Sequence, residues 1–225
     1  MAARPLADDL WWLCHDERSG ELLLYARSAG VGLAGALLIE LWAAGQVMVV
    51  GQTVVPVREA VAPADALVHV IAAEVGAEPE PLPVAVWLEF LGSGARARVG
   101  ERLRLAGLVR REATTPARRW RRRRVERWVV PDVNVPGWVR ARLVLAFEDV
   151  PDMPGVPRRV LSGQDRALAA LVWATGLDGH VFPYADQRGI RHELGELARG
   201  LEPAALRELV LGVHAAVARP AMTRT

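Results

Sequence analysis

Residues 118–128 read RRWRRRRVERW, with seven arginines and two tryptophans in eleven positions. A guanidinium grips phosphate through two parallel hydrogen bonds, and an indole favours the polar boundary of a bilayer. The run therefore suits a lipid headgroup or a nucleic acid backbone. A hairpin with a solvated basic face, and with Trp120 and Trp128 packed inward, accounts for the same residues without any ligand. Between Arg96 and Arg127 stand thirteen Arg against three acids (Glu101, Glu112 and Glu126), a local charge of +10. The rest of the chain carries 15 Arg and 23 acids, or −8, so the formal total of +2 hides a basic middle on an acidic body. Such asymmetry points to an anionic partner approached from one side. All 28 basic residues are arginine.

Other residue types offer less chemistry. Cys14-His15-Asp16 contains a nucleophile, a base and an acid, but catalytic partners are normally brought together by the fold rather than by adjacency. His69 and His214 fall in helical segments, and His180 and His192 in polar turns, with no metal-binding spacing. No P-loop, dinucleotide glycine fingerprint or zinc spacing is picked out. The sequence thus leads us to expect no catalytic residues, no metal and no cofactor. Glu40 is the most unusual acid, because it is the only ionisable residue between Ala29 and Val57. A charge in such an apolar stretch needs a buried partner, and an arginine is the natural one.

The elements that would position these residues are mainly helical. At 225 residues, 52% apolar and 24% charged, the chain has the composition of one globular domain, with a structured core over 6–220. One cysteine allows no internal disulfide, so a reducing, cytoplasmic setting is expected, and the start lacks a signal-peptide pattern. VGLAGALLIELWAAG (31–45) is apolar almost all round, as a helix at the centre of a bundle should be, and Glu40 argues against a membrane span. Leu37, Leu38 and Leu41 should face neighbouring helices. Gly45 closes that helix, and QVMVVGQTVVPV should form a hairpin. Asp65 caps a helix ending near Gly76, EPEPLP (78–83) reads as a linker, and VAVWLEFLGSG opens another helix. LLIELWAAGQVMV and GERLRLAGLVRRE read as two copies of one helix–strand corner. Residues 117–130 should form two short antiparallel strands with the arginines exposed. The remainder is helical, with Ser162 as a cap and Pro203 in the first turn of the last helix. The predicted fold is mainly α, a single domain around a buried apolar central helix, with small β-hairpins.

The first fifty residues and three later segments resemble the Golgi phosphoprotein 3 family, in the form seen in actinobacterial members. GLAGALLIELWAAGQV (32–47) matches the pattern G-L-x-G-x-L-L-x-E-L-x-x-x-G-x-V at every fixed position. VWLEFL (86–91), GERLRLAGLVRRE and DRALAALVWATGL (165–177) are similar to its W-I-E-L-L, E-R-L and later helical segments. The resemblance implies a peripheral membrane protein that binds phosphatidylinositol 4-phosphate and, in eukaryotic members, glycosyltransferase tails. It places the headgroup tryptophan at Tyr25 and the arginine of G-L-R-G at Ala34, where that contact is lost. The upstream arginine pair falls near Arg96, with Arg98 adjacent, and Arg27 stands where it could replace the missing charge. It also implies self-association through the hairpin.

Taken together, the sequence predicts a cytoplasmic, peripheral membrane adaptor, not an enzyme, that binds anionic phospholipid headgroups of the phosphoinositide kind. Tyr25, Arg27, Arg96 and Arg98 form the expected lipid site. Arg118, Arg119, Trp120, Arg121, Arg122, Arg123, Arg124, Arg127 and Trp128 form the expected membrane or oligomer hairpin. The alternative is a winged-helix-like DNA-binding protein using the hairpin as a wing. ERLRLAGLV, however, offers no amide or hydroxyl side chain for reading base edges.

Overall fold

Segment 26–43 carries almost nothing that water would solvate, so it must be enclosed. In the computed structural model, which describes residues 4–17, 19–114, 125–131, 134–147 and 160–219, it forms helix α2 (Ala26–Ala43). Packed around it are α1 (Leu6–Leu13), α4 (Val84–Gly92), α5 (Ala95–Leu105), α7 (Gly163–Thr175) and α10 (Ala204–Ala218). Leu37, Leu38 and Leu41 are fully buried, as the sequence predicts, and so is Leu33. By length and hydropathy α2 could cross a bilayer, yet most of it is enclosed by its neighbours.

Glycines let those neighbours approach. A Cβ at Gly30 would overlap the Gly92 carbonyl of α4, one at Gly32 the Thr175 methyl of α7, and one at Gly35 a Val213 methyl of α10. Gly30, Gly32 and Gly35 do stand at G-x-G-x-x-G spacing, which the sequence reading passes over. They lie inside a helix with no strand before them, and each is filled by another element. Here the spacing serves packing, not a pyrophosphate.

The remaining helices are α3 (Ala66–Ala77), α6 (Asn134–Phe147), α8 (Asp178–Val181) and α9 (Gln187–Arg199). The caps follow the sequence: Asp65 accepts from the Val68 amide and Ser162 from the Asp165 amide. Pro203 lies one position earlier than expected, at the N-cap of α10. Strands β1 (Val47–Val50) and β2 (Thr53–Pro56) pair antiparallel, Val47 opposite Pro56. Their turn, Gly51-Gln52, has φ of 55° and 64°, the type I′ pattern that matches strand twist. The supposed linker contributes β3 (Leu82–Pro83), which pairs with β2, because the Val84 amide is held by the Gln52 carbonyl at 2.8 Å.

A second pair, β4 (Arg110–Thr114) and β5 (Val125–Val129), aligns Arg110 with Val129. The first strand therefore starts earlier than 117, directly after the α5 corner. Both predicted corners are present and capped alike. Gly45 and Gly107 have φ of 67° and 73°. Gln46 and Leu108 donate back five residues, to Leu41 and Leu103, at 3.0 and 2.9 Å. These are Schellman closures, which need a left-handed residue at the helix end.

Candidate functional site

The two corners do more than turn the chain. Counting back five residues from each glycine gives Glu40 on α2 and Arg102 on α5, and these two equivalent positions meet. Arg102 Nη1 lies 2.9 Å from Glu40 and 3.4 Å from Asp65, and Arg102 Nη2 lies 2.7 Å from Asp8. The Ala7 amide completes Glu40 at 2.6 Å. The expected arginine partner of Glu40 is thus Arg102, and its side chain is only 12% exposed. Burial pushes the Asp8 carboxyl up to about 6, against the opposing pull of Arg102. The neighbouring Asp9 is wholly buried and held at 2.6 Å by Arg142, which also reaches Asp165 at 3.3 Å. Sequence reasoning missed both aspartates. The signal was available, since two adjacent acids inside an apolar helix need two cations.

At the opposite end of α2 lies the predicted lipid site. The chain leaving α1 doubles back there. The Leu23 amide donates to the Cys14 carbonyl at 2.9 Å, and His15 bridges Leu22. The Trp11 indole donates to the Arg96 carbonyl at 3.2 Å, which ties the first turn of α5 to the same place. Burial lowers His15 to about 4, with its Trp11 hydrogen bond opposing and the Arg96 charge adding to the shift. Burial also lifts the Cys14 thiol to about 12, against the Arg96 charge. A thiol held protonated is a poor nucleophile. Cys14-His15 therefore acts as core, with the His15 ring lying 3.9 Å from that of Trp11.

The four expected lipid residues fare differently. Tyr25 begins α2 and is 89% exposed, two residues beyond Leu23. Arg96 is half-buried, and its guanidinium has no hydrogen-bond or ion-pair partner among the described residues. Arg27 is already engaged. It donates to the Ala216 carbonyl at 3.0 Å and the Arg219 carbonyl at 3.2 Å, and it pairs with Glu89. Arg98 is paired with Glu74 at 2.8 Å. Ala34 is fully buried inside α2, so that position is closed to any headgroup. Two hydrogen bonds tie the segments of Tyr25 and Arg96 to α1: the Leu23 amide, two residues before Tyr25, donates to the Cys14 carbonyl, and the Trp11 indole donates to the Arg96 carbonyl.

Of the hairpin residues, Arg118, Arg119, Trp120, Arg121, Arg122, Arg123 and Arg124 lie outside the described residues. Arg127 is described only as a backbone position in β5, opposite Glu112. Trp128 requires a correction: it is a core residue, 7% exposed, and not a surface anchor. Its ring packs edge-on to Trp11 at 5.8 Å and lies so close over Gly100 that a Cβ there would approach within 2.7 Å. The Arg111 guanidinium lies over the outer side of the ring, 5.6 Å from its centroid.

No curated protein matches this chain. The family model of Golgi phosphoprotein 3 (GPP34), in contrast, matches residues 6–213, from the first turn of α1 nearly to the end of α10. The matched span takes in both corners, the Glu40–Arg102 pair that joins them, and the Tyr25–Arg96 end of the fold. On that match the chain belongs to the Golgi phosphoprotein 3 family.

Proposed function

We propose that the protein is a peripheral membrane adaptor that receives an anionic phospholipid headgroup, of the phosphatidylinositol 4-phosphate kind, between Tyr25 and Arg96. The observation that carries this reading is the Arg96 guanidinium. It has no hydrogen-bond or ion-pair partner among the described residues, and the Tyr25 ring, whose segment is also tied to α1, is 89% exposed. A phosphomonoester carries nearly two negative charges, so a free guanidinium can take it bidentately while an aromatic edge packs on the inositol ring. Arg27 and Arg98, whose charges are matched by Glu89 and Glu74, add little net charge to the site. The arginines of 118–127 add a diffuse attraction, about 1 kcal/mol for each one near an anionic surface.

With Ala34 in place of an arginine, binding should be weak and salt-sensitive, and discrimination among anionic lipids should be modest. Exposed charge contacts fade as the Debye length shrinks from about 10 Å at 0.1 M salt to about 3 Å at 1 M. The DNA-binding alternative loses support from α5. Arg102 is consumed by three carboxylates and Arg104 pairs with Glu101 at 2.6 Å, so the would-be recognition helix has little left to offer a base.

The test is sedimentation with phosphatidylcholine vesicles containing phosphatidylinositol 4-phosphate or phosphatidylserine. The native chain is compared with a Tyr25→Ala, Arg96→Ala variant. We expect at least a five-fold loss of affinity in the variant. Equal binding by the two proteins would remove this site. Binding of duplex DNA but of neither vesicle would favour the winged-helix reading.

A further inference from the structure

A cleft of about 620 Å³ opens at the far end of α2 from Tyr25. An 18-residue helix spans about 27 Å, so this cleft is a separate place from the proposed headgroup site. Its walls are largely apolar, built from Ile39 and Trp42 of α2, Val68 of α3, Leu201 just before α10, and Leu206 in its first turn. The volume falls in the roughly 300–1,000 Å³ range of small-ligand sites.

The charged side chains around the cleft are unevenly paired. Its three acids are already engaged: Glu40 and Asp65 by Arg102, and Glu202 by Arg207 at 2.9 Å. The carbonyls of Glu40, Leu41, Trp42 and Ala44, at the end of α2, all accept hydrogen bonds from neighbouring groups. Its two arginines are different. Neither Arg4 nor Arg166 has a side-chain hydrogen bond or ion pair among the described residues, although the Arg4 charge also acts on Asp9, and both line the cleft. The first turns of α1, α7 and α10 also lie in the wall and contribute partial positive charge.

An apolar trough with two guanidiniums that make no hydrogen bond or ion pair suits a ligand with an apolar body and one anionic end. We infer that this cleft binds a single-chain carboxylate amphiphile of the fatty-acid class, its head on Arg4 and Arg166 and its chain along Trp42 and Ile39. Two guanidinium forks match the planar geometry of a carboxylate, whereas a cationic head would be repelled. Charge complementarity thus selects among chains of equal length.

The inference is tested on the full chain by calorimetric titration with dodecanoate below its micelle concentration. Dodecyltrimethylammonium and dodecanol serve as comparators. The native protein should bind dodecanoate saturably at one site, and Arg4→Gln with Arg166→Gln should weaken it at least ten-fold. Arg166 is exposed and Arg4 half-buried, and circular dichroism checks that the double variant remains folded. A brominated dodecanoate should quench Trp fluorescence, and Trp42→Phe should remove part of that quenching. Absence of saturable binding, equal affinity in the double variant, or equal binding of the cationic chain would overturn the inference. No bilayer enters this measurement, so its failure leaves the headgroup reading untouched, and the reverse also holds.

Discussion

Replacing Arg102 with methionine should be among the most damaging single changes in this protein. Methionine keeps much of the apolar stem, so the loss is mainly that of the guanidinium. Three carboxylates would then face one another without a cation, two of them on side chains only 10% exposed. Removing one partner of a buried ion pair costs about 3–5 kcal/mol, because the other charge stays buried and unmatched. For a chain of this size that is a fall in melting temperature of roughly 6–20 °C. The pH dependence distinguishes charge from packing. Asp8 already titrates near 6, above its usual range, and loss of Arg102 removes the interaction that opposes this rise. Its folded form then binds protons that the unfolded chain does not, so the variant should gain stability as pH falls from 7.5 towards 5.5. At about 1.4 kcal/mol per pKa unit, a recovery of at least about 1 kcal/mol is expected relative to the native chain. Urea unfolding followed by tryptophan fluorescence at both pH values measures this. A loss under about 1 kcal/mol at pH 7.5, or a loss unchanged at pH 5.5, would refute the reasoning.

Gly35→Ala should destabilise by about 1–3 kcal/mol, the usual cost of overpacking, because its methyl would meet that of Val213; a neutral result in the same urea assay would mean α10 can shift freely. His15 supplies a second pH effect. Its folded value of about 4 lies below the ordinary value of 6.5, so its contribution is present above pH 6.5 and is lost as pH falls from there through 4. The loss totals about 3 kcal/mol. Asp8 works in the opposite sense over much of that window. The His15 contribution is therefore read as the difference in pH slope between the native chain and His15→Gln, and identical slopes would contradict it.

Much of the architecture was legible because it rests on local rules. An all-round apolar segment from 31 to 45 has to be enclosed, Asp65 and Ser162 can cap only the helices that follow them, and Gly45 and Gly107 mark left-handed exits. The need of Glu40 for an arginine was also legible, since a lone charge in an apolar helix requires one. Which arginine met it was not. Arg102 is 62 residues away, and only the packing of α5 against α2 decides that contact. The hairpin illustrates the same limit. Alternation of residue types marked a strand pair, but its register depends on where the Gly107 corner releases the chain, and the burial of Trp128 depends on the space left open by Gly100.

The candidate site divides along this line. The family resemblance, laid position by position onto the sequence, singled out Tyr25, Arg27, Arg96 and Arg98 as groups to hold a phosphate. Their availability was a tertiary matter: Glu89 and Glu74 neutralise Arg27 and Arg98, while Arg96 keeps its guanidinium without a protein partner among the described residues. The cleft at the far end of α2 had no sequence signature, because its walls come from segments scattered between Arg4 and Leu206. Composition and spacing determine which elements form and which charges must be matched. Which charges are left over is decided only when distant segments pack, because a carboxylate neutralises whichever guanidinium the fold brings within a few ångströms.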